Sequence, residues 1–203
     1  MSKGAETKEA IIREALKTAS VEGIDGLTIG NLATKLKMSK SGLFAHFGSK
    51  EALQEAVMDT AARRFLDAVW VPAKAEPRGL PRLRALYRNW QEWMLHNPDL
   101  PGGCVLTSAA TALDDKPGPV RDRLVSMQKE WQATIAKAIE LAVREGHFRA
   151  DLDCEQFAFE LNGILLNLTF HQRLLRDRQA AERCSTAFEA LVSRAASRTA
   201  QAA

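Results

Sequence analysis

Residues 27–53 read LTIGNLATKLKMSKSGLFAHFGSKEAL and carry the strongest structural signal in the chain. Apolar residues recur in this stretch every three or four positions, which is the spacing of an amphipathic helix and not of a strand. Thr28, Ser39 and Ser49 each precede such a run, and a hydroxyl residue at that position is a preferred helix N-cap. The pattern predicts two helices of about two turns each, joined by residues 36–38 and followed by a longer helix.

Two such short helices need a neighbour, because isolated helices shorter than about 12–15 residues are marginal in water. A predicted helix over residues 6–22 offers one, with Leu16 and Ala19 on its apolar face and Gly23 as its end. Ala33 is small at the point where the two short helices would cross. The pattern predicts a helix-turn-helix, in which the second short helix is held outward to enter the major groove of DNA.

Positive charge is concentrated in the same part of the chain. Residues 1–50 contain eight Lys and Arg against five Asp and Glu, a net charge of +3, whereas residues 51–203 contain twenty of each. From Lys35 to Lys50 there are four lysines and no acidic residue. A basic tip on a neutral body predicts an anionic polymer as partner, with a solvated basic face as the alternative interpretation.

The second short helix carries most of the candidate DNA contacts. Leu43 and Phe47, four positions apart, are expected to point inward. Lys40, Ser41 and His46 are then left on exposed faces, where lysine and serine side chains can address base edges or phosphates. His46 and Lys50 suit phosphate oxygens, and Gly42 permits a close approach of the backbone. The candidate DNA-binding residues are Thr28, Lys37, Ser39, Lys40, Ser41, Gly42, Phe44, His46 and Lys50. An ordinary three-helix bundle without a ligand remains the alternative.

The rest of the chain is also predicted to be helical. After a long helix over 49–70 and a proline-rich linker over 72–81, further helices are predicted near 83–94, 103–113, 120–142, 153–176 and 179–197. The expected fold is therefore all-α with about nine helices. A three-helix DNA-binding domain over residues 1–50 precedes a larger helical ligand-binding and dimerisation domain over residues 51–203.

Residues 8–55 resemble the N-terminal domain of TetR-family (tetracycline-repressor-like) regulators, and the strongest match is SKSGLFAHFGSKEAL at residues 39–53. The resemblance implies a homodimer that binds a near-palindromic operator, usually as a repressor released by a small ligand. It also implies a four-helix dimer interface built from the helices near 153–176 and 179–197. The apolar stretch 157–170 suits such an interface, although a buried core helix would show the same pattern.

Two positions depart from the family pattern. Lys37 stands where glycine is common, and a left-handed backbone there would cost about 1–2 kcal/mol, which favours a retained DNA contact for its side chain. Phe44 stands where the family often has tyrosine, so a phosphate hydrogen bond from that hydroxyl is not carried over. Phe44 is instead expected to contact a sugar or a thymine methyl group.

Aromatic and methionine side chains gather on two helices in the middle of the chain that are expected to face each other. They indicate either a packed core or an apolar cavity for a small hydrophobic effector, with a few polar contacts. The candidate ligand-binding residues are Trp90, Trp93, Met94, Cys104, Met127, Trp131 and Asn162. His96 and Asn167 are further candidates for the polar contacts.

Enzymatic motifs are missing from the sequence. It has no Gly-rich phosphate loop, no Gly-x-Ser-x-Gly and no His or Cys pair at metal spacing, so no enzyme class, cofactor or metal is expected. Three widely spaced cysteines and the lack of a long apolar run fit a cytoplasmic protein without a membrane partner. Three hypotheses remain: a ligand-responsive repressor, a DNA-binding regulator or architectural protein without an effector, and a helical enzyme or scaffold that does not bind DNA.

Overall fold

The computed structural model describes residues 3–197, the side chain of Lys3 excepted, so the outermost residues of both predicted domains lie outside the described part. Within that part the chain forms nine α-helices and one π-helical turn, which confirms the all-α prediction. The helices are α1 (Lys3–Gly26), α2 (Ile29–Leu36), α3 (Lys40–Phe47), α4 (Lys50–Ala73), α5 (Leu80–Leu95), α6 (Val105–Leu113), α7 (Pro119–Arg144), α8 (Cys154–Thr169) and α9 (Ala180–Ala195), with the π-helical turn at Phe170–Leu174.

Hydroxyl caps fix where α2, α3 and α4 begin. The side-chain oxygens of Thr28, Ser39 and Ser49 each accept a hydrogen bond from a backbone N–H three residues later. The donors are the amides of Asn31, Gly42 and Ala52, at 3.1, 3.0 and 3.0 Å. Each cap satisfies an amide that has no partner inside its helix, so the predicted starting points are confirmed.

Several predicted boundaries differ from the structure by a few residues, and the helix predicted over 153–176 ends at Thr169, where the π-helical turn follows. Gly23 has non-helical backbone angles (φ 78°, ψ 162°), so the helical path breaks there as predicted, but α1 resumes and runs to Gly26. The linker predicted at 72–81 is shorter in the structure, because α4 extends to Ala73 and α5 begins at Leu80. Pro72 lies in the last turn of α4, where its ring removes one backbone hydrogen bond just before the helix stops. Pro81 lies in the first turn of α5, where an N–H has no helical partner to lose.

Backbone contacts divide the chain into two compact units. The first unit comprises Met1–Arg64 and Asn97–Met127, and the second comprises Phe65–His96 and Gln128–Ala203. Two of the three boundaries fall inside α4 and α7, so each of these helices contributes residues to both units, and the third follows the end of α5. The predicted border at residue 50 is a functional one and stays a prediction.

The core of the first unit joins the three N-terminal helices. Leu16 of α1, Leu32 of α2 and Leu43 of α3 are all fully buried, as is Leu53 near the start of α4. Burying one leucine stabilises a fold by roughly 1.5–3 kcal/mol, so α1 supplies the apolar neighbour that two short helices require.

The first unit also contains α6, which packs against α1. Gly102 lies so close to α1 that a Cβ atom there would be 1.6 Å from the carbonyl oxygen of Ser20. The N–H of Gly102 donates to the Ser20 hydroxyl at 3.2 Å, and Lys116 forms an ion pair with Asp25. Residues 97–127 are therefore held directly on the N-terminal helices.

The second unit is built around α5, α8 and α9. Phe157 and Phe188 are buried, and the ring of Tyr87 stacks on Phe188 with centroids 3.9 Å apart. Burial raises the pKa of the Tyr87 phenol and also that of the Cys184 thiol. None of the helices in residues 3–197 combines the length and apolar character needed to cross a membrane.

Candidate nucleic-acid interface

Helix α3 has one buried side and one exposed side. Leu43 is fully buried, and Phe47 is half-buried with the ammonium of Lys8 5.4 Å from its ring centroid. The exposed side chains on the remaining surface are those of Lys40, Ser41, Phe44 and Ala45. Leu43 and Phe47 are covered and Lys40 and Ser41 are exposed, as predicted, whereas His46, also predicted to be exposed, is half-buried.

The four lysines between residues 35 and 50 do not have equivalent surroundings. Lys37 and Lys40 are exposed at the turn and at the start of α3. Lys35 differs, because its Nζ lies 2.7 Å from Oε1 of Glu22. The charge of Lys35 is thus balanced within the unit, a long-range pairing that the sequence did not reveal.

The turn between α2 and α3 places Lys37 in a left-handed backbone conformation (φ 54°, ψ 38°). The N–H of Met38 donates to the carbonyl of Ala33 at 2.9 Å, and the N–H of Lys37 donates to that of Thr34 at 3.2 Å. These two bonds form a Schellman motif, which normally has glycine at the left-handed position. Lys37 therefore has the left-handed backbone whose cost was considered from the sequence, about 1–2 kcal/mol for a residue with a Cβ atom.

Several predicted DNA-binding residues also have a structural role. The hydroxyls of Thr28 and Ser39 accept the cap hydrogen bonds of α2 and α3, and Oγ of Ser41 lies 3.3 Å from Oγ of Ser39. A Cβ atom at Gly42 would lie 2.9 Å from the same Ser39 hydroxyl. Gly42 therefore makes room for the cap, in addition to the close approach of the backbone that was predicted for it.

His46 and Lys50 lie towards the end of α3 and the start of α4. His46 is half-buried, with its ring centroid 6.4 Å from that of Phe47. Lys50 is exposed, and its Nζ donates to the backbone carbonyl of Asp25 at 3.3 Å. The contacts that the nine candidate residues make with DNA remain predictions.

A cluster of aromatic rings in the second unit brings together three of the predicted ligand-binding residues. The ring centroid of Phe65 lies 5.7 Å from Trp90, 5.8 Å from Trp93 and 4.8 Å from Trp131, each in an edge-to-face arrangement. Met94 is buried on the same helix as Trp90. Phe65 was not among the predicted ligand-binding residues, although its spacing of four residues from buried Ala61 and Val69 on α4 indicated an inward position.

Two indole nitrogens of this aromatic cluster are buried. Nε1 of Trp93 and Nε1 of Trp131 have no hydrogen-bond partner among the described residues. Buried indole N–H groups usually have an acceptor, so these two donors are available to an acceptor atom that comes close to them. Chemically, the cluster offers apolar surface together with two hydrogen-bond donors.

The other predicted ligand-binding residues are distributed more widely. Cys104 and Met127 are half-buried in the first unit, whereas Asn162 is half-buried on α8 in the second. His96 is exposed with Nδ1 3.0 Å from the Glu92 carboxylate, which identifies a surface pair. Asn167 lines a small cleft of about 110 Å³ between α8 and α9.

One face of α8, continued by the first residue of the π-helical turn, exposes large apolar side chains and is called the α8 face below. Phe159, Leu166 and Phe170 are 72%, 43% and 49% exposed, and the exposed Gly163 lies between the first two. Their spacing of seven and four residues places them on one side of the helix. A contiguous apolar surface of this kind is typical of a site that another molecule covers.

Two family models match the chain. Residues 11–57 match the model described as bacterial regulatory proteins, tetR family, and residues 79–188 match the tetracyclin repressor-like C-terminal domain. No curated protein matches the sequence significantly.

Solved structures with the same fold cover nearly the whole chain. A TetR transcriptional regulator from Chloroflexus aurantiacus J-10-FL is 25% identical, with a TM-score of 0.83 over 95% of this chain and 96% of that one. A TetR-family regulator from Cytophaga hutchinsonii is 19% identical, with a TM-score of 0.83 over 97% and 98%. AibR, solved in complex with isovaleryl coenzyme A and operator DNA, is 20% identical, with a TM-score of 0.68 over 93% and 97%. Because the two family models together span the capped helix-turn-helix and most of the helices that follow it, the chain belongs to the TetR family of transcriptional regulators.

Proposed function

We propose that this regulator binds a near-palindromic DNA operator as a homodimer, represses transcription, and is released by a small hydrophobic effector. The observation that carries the proposal is the exposed face of α3, where Lys40, Ser41 and Phe44 are uncovered while Leu43 is buried. A helix held in this way suits entry into the major groove.

Residues 1–50 would contact the DNA in two ways. Lys40 and Ser41 would reach base edges or phosphates from the exposed face of α3, while Ser39, His46 and Lys50 would meet phosphate oxygens. Phosphate contacts release counterions, so the affinity should fall steeply with salt. The solved complex of AibR with operator DNA supports this use of the fold.

Residues 51–203 would dimerise and respond to the effector. The exposed apolar face of α8 supports a homodimer, since a second copy would cover the phenyl rings of Phe159 and Phe170. In such a dimer the two α3 helices would meet successive major grooves about 34–36 Å apart.

The aromatic cluster supports the effector part of the proposal. Its apolar rings would bind the body of a small molecule, and the buried N–H groups of Trp93 and Trp131 would meet its acceptor atoms. Binding would release the operator by linkage if it favours a dimer in which the two α3 helices no longer match the grooves. Helix α4 is the expected lever, because it carries residues of both units.

The test of DNA binding starts with selection of bound duplexes from a random pool. With the selected operator, we expect Lys40→Ala to weaken binding about tenfold and to lower the slope of log affinity against log salt by about one per monomer. Lys35→Ala is the matched control, because Lys35 is paired with Glu22 and should change neither value much. Failure to retard any duplex at low ionic strength, or equal effects of the two variants, would contradict the proposal.

The alternative is a DNA-binding regulator or architectural protein without an effector. It is favoured by the mutual packing of Trp90 and Trp131, whose ring centroids are only 5.1 Å apart. Titration with lipophilic carboxylic acids and ketones separates the two functions. An effector should change tryptophan fluorescence and also release the operator, whereas a solid aromatic core should leave both unchanged.

A further inference from the structure

Phe44 is an unusual residue for a surface helix in this molecule. Among the described residues of the first unit, the large apolar side chains left exposed are Val21 at 65% and Phe44 at 50%. Val21 lies on α1, whereas Phe44 lies in the middle of α3. An uncovered phenyl ring on the helix proposed to enter DNA requires an explanation.

The position of Phe44 decides what can cover it. It follows Lys40 by four residues and Ser41 by three, so the three side chains share one face of α3. The preceding residue, Leu43, is fully buried, so the adjacent side of α3 faces the core while the side with Phe44 faces outward. A partner that contacts Lys40 and Ser41 must therefore also lie against the phenyl ring.

This face of α3 suits a polyanion that also presents an apolar group to the phenyl ring. The phenyl ring can neither donate nor accept a strong hydrogen bond, so it cannot address a phosphate or a polar base edge. In the major groove of DNA, the apolar group on a base edge is the C5 methyl of thymine.

We propose that Phe44 contacts the C5 methyl group of a thymine in each operator half-site and thereby selects that base pair. The inference rests on the proposed operator binding and adds the identity of one base to it. Covering one methyl carbon is worth about fourfold in affinity, so a palindrome with two such contacts gains about sixteenfold.

The experiment replaces each thymine of the selected operator, one half-site at a time, with deoxyuridine. The replacement removes the methyl group and keeps every hydrogen-bonding atom of the base. For the wild-type protein we expect one position in each half-site where the replacement weakens binding about fourfold. Phe44→Ala should bind the thymine operator more weakly and should lose the sensitivity at that position, while Phe44→Tyr keeps a ring and should retain it.

Val21→Ala is the matched control, since it also shortens an exposed apolar side chain of the first unit. It should bind with wild-type affinity and keep the sensitivity to deoxyuridine. Circular dichroism checks that each variant folds, and Phe44→Leu replaces Phe44→Ala if the latter does not.

Three results would overturn the inference. The wild-type protein could show no sensitive thymine, Phe44→Ala could keep the full sensitivity, or Phe44→Ala could weaken all operators equally, which would indicate a sugar contact. A random pool that yields no operator at all is a different failure, because it removes the proposed function and this inference with it.

Discussion

The two compact units leave different kinds of side chain uncovered. In the first unit the exposed face of α3 combines Lys40 and Ser41 with one phenyl ring, that of Phe44. In the second unit the exposed face of α8 presents Phe159 and Leu166 in its middle, without a lysine or arginine between them. The first face is suited to a charged partner and the second to an apolar one.

The two faces differ in the free energy that exposure to water costs them. Lysine ammonium groups are well hydrated, so their exposure to water costs little free energy. They can bind a polyanion reversibly, and that binding releases the counterions of the polyanion. Exposed phenyl and leucyl groups lack the favourable free energy that removing their apolar surface from water would give. The α8 face is therefore expected to be covered permanently, by a second copy of the chain, whereas the α3 face is expected to bind and release.

A charge placed on the α8 face should disturb the protein most. We expect Leu166→Glu to raise the dissociation constant of the homodimer at least 100-fold, because a carboxylate would be buried against apolar groups with no partner. Sedimentation equilibrium measures the constant. Ala133→Glu, which adds the same charge at an exposed position of α7, is the control and should leave it unchanged. A Leu166→Glu protein that stays dimeric at nanomolar concentration would show that this face is not the interface.

Local signals made the helix-turn-helix predictable from the sequence. Thr28 and Ser39 cap their helices through bonds that span three residues, and Leu43 follows a helical period, so neighbouring residues suffice to place them. The pairing of Lys35 with Glu22 and the meeting of Phe65 with Trp131 were not predictable in this way. They depend on how separate helices pack, which no local pattern encodes.

The composition of the first unit shows the same limit. The sequence placed its DNA-binding part at residues 1–50, yet residues 97–127 pack in the same unit. Gly102 and Ser20 are separated by 82 residues, and the backbone N–H of Gly102 donates to the Ser20 hydroxyl. A glycine in a turn-rich stretch is common, so nothing in the sequence marked Gly102 as a point of close approach.

A second prediction tests whether that contact holds the first unit together. We expect Gly102→Ala to lower the free energy of unfolding by about 1–3 kcal/mol, because its Cβ would overlap the Ser20 carbonyl and force the segment away from α1. Thermal and urea unfolding measure the change. Gly4→Ala is the control, since no atom lies within 4 Å of a Cβ there, and it should not destabilise the protein. Equal stability of the two variants would show that the contact contributes little to the first unit.

The smallest expected effect concerns Lys37, where stability and the proposed function should oppose each other. Lys37→Gly should raise the free energy of unfolding by about 1 kcal/mol, because glycine adopts the left-handed conformation of this turn without strain. The same variant should bind the operator more weakly and lower the salt dependence by about one charge per monomer, if the ammonium group contacts a phosphate.

Lys37→Ala separates the two contributions. It removes the same charge but keeps a Cβ atom, and with it the steric strain of a left-handed residue. We therefore expect Lys37→Ala to match Lys37→Gly in its salt dependence and to match the wild type in stability. If Lys37→Gly gains stability and binds the operator as tightly as the wild type, the strain at this turn is not retained for DNA contact, and the positive face of the first unit reduces to Lys40 and Lys50.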